Sequence, residues 1–391
     1  MGPVRTILVV FLAIVVAGCG GRTGKPLPTP TPTIVLGPLP LSVPLPHGSA
    51  APFAISGNEL AWAGVPKEVG ACPRYHLYLA NVRAFHPRSI WTTKGCDIVS
   101  DVQISPRWLV WISGVPPAGA IWAMDLVTGH KRVVAMQRYH PLNHPCLTLS
   151  CVPPVAMSLD GSMLVWSHSI FSGQGDLITS QIRERLLTSR RIRTLYATHT
   201  TCEMQIDPIV AGGRVVWLQA RWPRDQALAG ETPPNQCEGT LQTNVVTKQF
   251  GGTARPLTGD GAAGNPETTG RFVMWQDSSR SVPTCITCAP LVLLDTRTGR
   301  RTQLDPQAGN APGDARLTHS LAFWISESGG GIVTAQDLRT GARTSFGVAA
   351  QPGTSAFPRY LGSGWGRRIV WEQDTASPAG TAVRVEIREV P

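Results

Sequence analysis

Residues Arg107 to Ser113 read RWLVWIS, and near copies of that stretch recur along the 391-residue chain as NELAWAG, SMLVWSH, GRVVWLQ, GRFVMWQ, SLAFWIS and RRIVWEQ. Successive side chains of a strand point to opposite faces, so Trp108, Val110 and Ile112 share one face while Leu109 and Trp111 share the other. Both faces are apolar, which suits a strand covered on both sides. The recurring tryptophans are Trp62, Trp111, Trp166, Trp217, Trp275, Trp324 and Trp371, spaced between 47 (371 − 324) and 58 (275 − 217) residues apart.

A period near fifty residues with several short strands in each unit is the signature of a β-propeller. Each unit reads alike. An inner strand such as DVQIS leads through a tight turn to the Trp strand, and then come a variable loop, a third strand such as AIWAMDL, a Thr-Gly turn and a fourth strand. The turns DLVTGHK, DTRTGRR and DLRTGAR place Gly where a hairpin needs positive φ. The composition agrees, with 40 Gly, 34 Pro and few amphipathic helical patterns. The fold class expected is all-β: a propeller of seven four-stranded blades, with six blades as the alternative, spanning residues 34–391. The tryptophans are read as packing between blades. The last unit holds the strand AVRVEIREV and no fourth strand after it, so the Pro-interrupted segment 34–46, IVLGPLPLSVPLP, is expected to close the ring as an outer strand, with the repeats at 51–391.

The N-terminus reads as a processing signal rather than as part of the fold. Arg5 precedes an apolar run from Thr6 to Val16, too short to remain as a membrane span, and small residues follow. Val16-Ala17-Gly18-Cys19 resembles the bacterial lipobox. That resemblance implies removal of residues 1–18 as a lipoprotein signal peptide and a diacylglyceryl group, with palmitate as a further acyl chain, on Cys19. Two or more chains suffice for stable membrane attachment. Residues 19–33, rich in Pro, Thr and Gly, would form an extended tether. These expectations place the protein in the bacterial cell envelope, anchored to a membrane and facing outside the cytoplasm.

The run Met157-Ser-Leu-Asp-Gly-Ser-Met-Leu-Val-Trp166 resembles the Ser-Pro-Asp-Gly repeat of TolB-type and other WD-repeat-like bacterial propellers, with Leu159 in place of the Pro. The Asp-x-x-Thr-Gly turns are similar to theirs. The resemblance implies architecture over residues 51–391; the transport role of TolB is not carried over.

Nine cysteines are present. Apart from Cys19 they number eight, and in an exported chain an even set favours disulfides. Cys72, Cys96, Cys146, Cys151, Cys202, Cys237, Cys285 and Cys288 all fall either in loops after Trp strands or between blades, two loop types that emerge on one face of a propeller. The simplest pairing joins 72 to 96, 146 to 151, 202 to 237 and 285 to 288, among 105 connectivities open to eight cysteines. The same face carries the long loops Met136 to Pro154 and Arg221 to Gly239, whereas the opposite face has short turns. Loops on a rigid scaffold are where binding concentrates.

Signatures of chemistry are few. The chain contains no Gly-x-Ser-x-Gly elbow, P-loop, His-Glu-x-x-His or EF-hand loop. His140, His144, Cys146 and Cys151 carry zinc-ligand chemistry, but their spacing matches no familiar site and export favours a Cys146–Cys151 bond. No metal and no cofactor are expected. The net charge of +10 comes from dispersed residues without aromatic-interleaved basic runs, which argues against nucleic acid as a partner. Asp277, Glu327, Glu372 and Asp374 recur near the ends of Trp strands and are the candidate catalytic acids, should the channel mouth gather them. The expected function is that of a non-catalytic binding or scaffold module engaging an envelope protein or glycan through the stapled loop face. The alternative is an extracytoplasmic hydrolase or lyase with carboxylates at the channel mouth.

Overall fold

The computed structural model describes residues 41–44, 52–64, 74–95, 97–114, 119–137, 156–171, 177–200, 202–221, 241–280, 288–309, 315–326, 332–347, 355–377 and 380–391. The signal peptide, Cys19, the tether, six of the eight remaining cysteines (Cys72, Cys96, Cys146, Cys151, Cys237 and Cys285), His140, His144 and Glu327 lie outside the described residues. Within them are 28 strands, four for each of seven antiparallel blades.

In chain order the inner strands are Phe53–Ser56, Ile98–Ile104, Met157–Asp160, Glu203–Ala211, Ala263–Thr268, Ala315–Leu317 and Ser355–Leu361. The Trp strands that follow are Glu59–Gly64, Trp108–Gly114, Met163–Phe171, Arg214–Arg221, Phe272–Asp277, Leu321–Ser326 and Arg368–Ser377. Each blade continues outward through a third and a fourth strand. The seventh blade takes its fourth strand from the other end of the chain. Leu41–Pro44 lies antiparallel to Gly380–Glu389, with Leu41 opposite Ile387 and Pro44 opposite Arg384. Proline is tolerated at that outermost position because no further strand needs its missing N–H.

The blades pack through seven apolar clusters, one per interface, and each contains one tryptophan of the repeat, contributed by the later blade. Trp111 packs on Leu77 and Leu79 of blade 1, Trp166 on Val110 and Ile112 of blade 2, and Trp217 on Val165 and Ile182 of blade 3. Trp275, Trp324 and Trp371 repeat this towards blades 4, 5 and 6, and Trp62 completes the circle against Val370, Val385 and Ile387 of blade 7. All seven are at most 2% exposed. The alternation within RWLVWIS is realised residue by residue: Leu109 and Trp111 enter the cluster with blade 1, and Trp108, Val110 and Ile112 enter the one with blade 3. Full burial of such side chains contributes about 2–3 kcal/mol each, so the tryptophan ladder adds a repeated contribution to every interface of the ring.

The Thr-Gly turns are built on a shared device. In blades 2, 5 and 6 the aspartate that opens the turn accepts the amide N–H two residues on, at 2.9 Å for Val127, Arg297 and Arg339. An arginine from a neighbouring inner turn then grips that aspartate: Arg107 to Asp125 at 2.9 Å and Arg271 to Asp295 at 2.7 Å. Blade 6 has Ser320 at the corresponding place, and Arg367 reaches across from blade 7 to hold Asp337. Gly299 and Gly341, each with φ of 76°, turn the chain where a side chain would be strained.

Candidate functional site

The inner strands of all seven blades converge on a central channel. Its interior holds two cavities that share Gln103, Arg316 and Ser363 as a common wall. The smaller, about 140 Å³, lies towards the end of the ring that carries the short turns and includes Asp160, Glu267, His319 and Trp365 in its lining. The larger, about 420 Å³, runs towards the end that carries the long connections, and Phe53, Tyr75, Ser100, Asp101 and Tyr360 line it together with that common wall.

Four charged side chains from four blades meet around the shared wall. Arg316 of blade 6 donates from Nη1 to the Glu267 Oε1 of blade 5 at 2.7 Å. Asp101 of blade 2 and Asp207 of blade 4 also lie in the field of this guanidinium. Burial dominates all three carboxyls. It pushes Asp101 up to about 6 against the opposing hydrogen bonds and Arg316, and it raises Asp207 and Glu267 above the usual carboxylate range. Asp101 is held at Oδ1 by Gln103 Nε2 at 3.2 Å and at Oδ2 by the Met157 amide at 3.4 Å.

The backbone that carries these groups is irregular. Pairing slips between Val99 and Asp101, between Ile206 and Ile209, between Gly264 and Glu267, and between Pro358 and Tyr360, all in inner strands. Among the described residues the non-glycine positions with positive φ are Asp207 at 49° and Asn265 at 44°, and each precedes a proline. Asp and Asn enter the left-handed region more readily than other side chains, but the position before proline is biased towards extended backbone, so each site stores on the order of 1–3 kcal/mol of strain. Bulges re-aim side chains; the one at Asp207-Pro208 leaves the Asp207 carboxyl within reach of Arg316's field.

Of the acids singled out by sequence, Asp277, Glu372 and Asp374 are among the described residues. Asp277 ends the Trp strand of blade 5, where its Oδ1 accepts from Ser279 N at 3.2 Å and Oγ at 2.5 Å. Glu372 and Asp374 are buried within the Trp strand of blade 7, opposite Val385 and Val383 of the next strand. None of these three lines either channel cavity. The acids that do surround the channel wall are Asp101, Asp207 and Glu267, and the sequence did carry one sign of them. Asp207-Pro208 and Asn265-Pro266 interrupt segments that otherwise read as inner strands, and proline inside a ladder marks a bulge. Cys202 immediately precedes the inner strand of blade 4 and Cys288 opens the third strand of blade 5, so both stand at the end of the ring that bears the long connections. Among the described residues no group of three or more His, Cys, Asp or Glu is arranged to hold a metal, and no helix is long and apolar enough to cross a membrane.

No family model and no curated relative matches the chain. Solved structures do match it at the level of fold. The β-propeller domain of the Trilobed protease from Pyrococcus furiosus, described as having an open velcro topology, superposes with a TM-score of 0.59 at 7% identity, covering 88% of this chain and 98% of that one. A puromycin hydrolase matches with a TM-score of 0.57 and 15% identity over 88% of this chain but only 53% of its own. TolB from Acinetobacter baumannii is also matched, at 14% identity over 74% of this chain and 63% of its own, with a TM-score of 0.44. The chain therefore spans about half the length of that hydrolase, and identities this low speak to architecture alone. Its ring differs from an open one in that blade 7 borrows Leu41–Pro44. The chain is a seven-bladed β-propeller whose ring is laced shut by strands from opposite ends of its sequence.

Proposed function

We propose that this propeller is a lipid-anchored, extracytoplasmic binding module of a bacterial envelope, which engages a protein or glycan non-catalytically through the end of the ring that carries its long connections. The observation that carries this reading is the asymmetry of the two ends. On one side the inner and Trp strands join through tight turns such as Gly57-Asn58, Gly161-Ser162 and Gly212-Gly213; on the other, a Trp strand ending at Arg221 is followed by a third strand that begins only at Gln242. Long variable connections on a rigid scaffold are the usual carriers of recognition. The lipobox-like Val16–Cys19 supports the anchor. The even set of eight cysteines beyond Cys19 supports an oxidising compartment and the stapling of this face. A second reading, a hydrolase or lyase using channel carboxylates, draws on Asp101, whose proton affinity lies close to neutral pH.

The test is cross-linking and capture from native envelopes with the full-length protein and with a variant in which residues 222–239 are replaced by a short Gly-Ser bridge. Capture of one partner by the first and its loss from the second is expected. The same set of proteins from both, or none from either, overturns the binding reading. A Cys19→Ser variant that still partitions with the membrane overturns the anchor.

A further inference from the structure

We propose that the larger channel cavity, between blades 7, 1 and 2, is a binding site for a primary alkylammonium group, held by the Asp101 carboxylate with its carbon chain against Phe53, Tyr75 and Tyr360. The inference rests on the reading of the loop-bearing end as a binding surface, and it adds a ligand chemistry to it. Three features of the cavity carry the assignment. It is large enough for a small organic ligand, about 420 Å³, and its lining combines apolar and aromatic walls with a few converging polar groups, the usual make-up of ligand pockets. Its aromatic residues come from two blades, Phe53 and Tyr75 of blade 1 and Tyr360 of blade 7, and ring faces attract organic cations.

The third feature is charge. The charged groups in this lining are Asp101 and Arg316, and Arg316 is already committed to Glu267 through a 2.7 Å ion pair on the other side of the shared wall. With Asp207 also near that guanidinium and Asp160 in the lining of the smaller cavity, the described channel holds four carboxyls against one arginine. A cation entering beside Asp101 supplies the charge this set lacks, and burial that penalises a lone carboxylate rewards its pairing. Gly362 shows that the wall is built for close approach. A Cβ there would stand 2.3 Å from Phe53 Cε2, so only glycine lets the Phe53 ring seat against the turn that leads out of the inner strand of blade 7.

The experiment titrates the full-length protein in detergent with n-hexylammonium, using n-hexanol and hexanoate as uncharged and anionic matches, and reads binding by calorimetry and ligand-observed NMR. The expected result is saturable binding of the amine with Kd of about 1 mM or tighter, weakened about tenfold or more in Asp101→Asn and about threefold in Tyr75→Leu, and retained within about threefold in Asp101→Glu and in Asp260→Asn, which changes an exposed acid outside both cavities. If Asp101→Asn does not fold, Tyr75→Leu and Asp101→Glu decide. Absence of saturation, equal binding of hexanol, or preference for hexanoate overturns the proposal. A parallel arm with Nα-acetyl-lysine methylamide separates the sources of the group. Binding of that probe points to a partner's lysine and binding of hexylammonium alone to a free amine, and either supports the site. Failure here together with loop-dependent capture of a partner removes only this inference; amine binding without any captured partner removes only the protein-binding part of the broader reading.

Discussion

The interfaces between blades and the wall of the channel are built on opposite rules. At every interface the same tryptophan enters the same kind of apolar cluster, on a regular strand, nearly or fully buried. Along the channel the inner strands depart from one another. Among the described residues four inner strands slip register, two non-glycine residues adopt positive φ, and carboxyls from three blades face the arginine of a fourth. Repetition holds the ring together, and departures from repetition give it an interior of its own. Local rules broken against a regular background are where function concentrates.

The comparison breaks most visibly if a tryptophan is removed. Trp217→Ala should cost about 3–5 kcal/mol in chemical denaturation, because it empties an interface and leaves Gln205 Oε1 without the 2.6 Å bond from Trp217 Nε1. Trp365→Ala, on a half-exposed residue at the channel's short-turn end, should change stability by less than about 0.5 kcal/mol. Similar losses at both positions would mean that interfaces and channel are not distinct in kind. Next in size is ring closure. A chain beginning at residue 50 lacks the strand that pairs with Gly380–Glu389, and it should melt several degrees below one beginning at residue 33. Equal melting temperatures would show that blade 7 needs no fourth strand.

A smaller effect sharpens the contrast from the channel side. Asp101 in the folded ring holds its proton up to about pH 6, above the unfolded value, so the fold binds more protons than the unfolded chain between about pH 4 and 6 and loses stability as pH rises through that window. Asp101→Asn should therefore raise the melting temperature above pH 6, by on the order of 2 °C, and give no gain below pH 4. A variant that is destabilised at pH 7 would show instead that the ionised carboxylate contributes to holding the channel wall. The smallest effect lies at the turns. Arg271 holds Asp295 down to about 2, so their pairing stabilises the fold above about pH 4 and fades as pH falls through 2. Arg271→Ala should flatten the acid limb of a stability profile within that window and leave the profile above pH 5 parallel to the wild type.

Legibility in the sequence followed the same division. Tryptophans at a fifty-residue period, the two-faced apolar pattern of RWLVWIS and the Asp-x-x-Thr-Gly turns repeat, and repetition can be read without knowing where a strand sits; the blade number and the borrowed closing strand followed from them. The channel could not be read that way. Asp101 in SDVQIS and Arg316 in ARLTHS are unremarkable as text, because what joins them is the convergence of strands more than two hundred residues apart. Asp277, Glu372 and Asp374 attracted notice by recurring beside the Trp strands, yet the Trp strand is the second in its blade and the first strand is the one that faces the axis. The X-Pro pairs at Asp207 and Asn265 were the visible trace of an unusual inner wall.

The lacing of Leu41–Pro44 onto Gly380–Glu389 also sets an order of events in time. Inside blades 1 to 6 each strand pairs with the next one in sequence and can do so as soon as both are made, whereas the pairing of Leu41 with Ile387 joins two ends of the described ring. The entropy of closing so long a loop grows only with the logarithm of its length, so the delay is one of sequence rather than of energy. Until the final strand has been synthesised, and for an exported chain has crossed the membrane, the early blades stand as an open arc with Trp62 waiting for Val385 and Ile387 to cover it. A chain of this design leaves that interface open to proteases and to mispairing until blade 7 is complete.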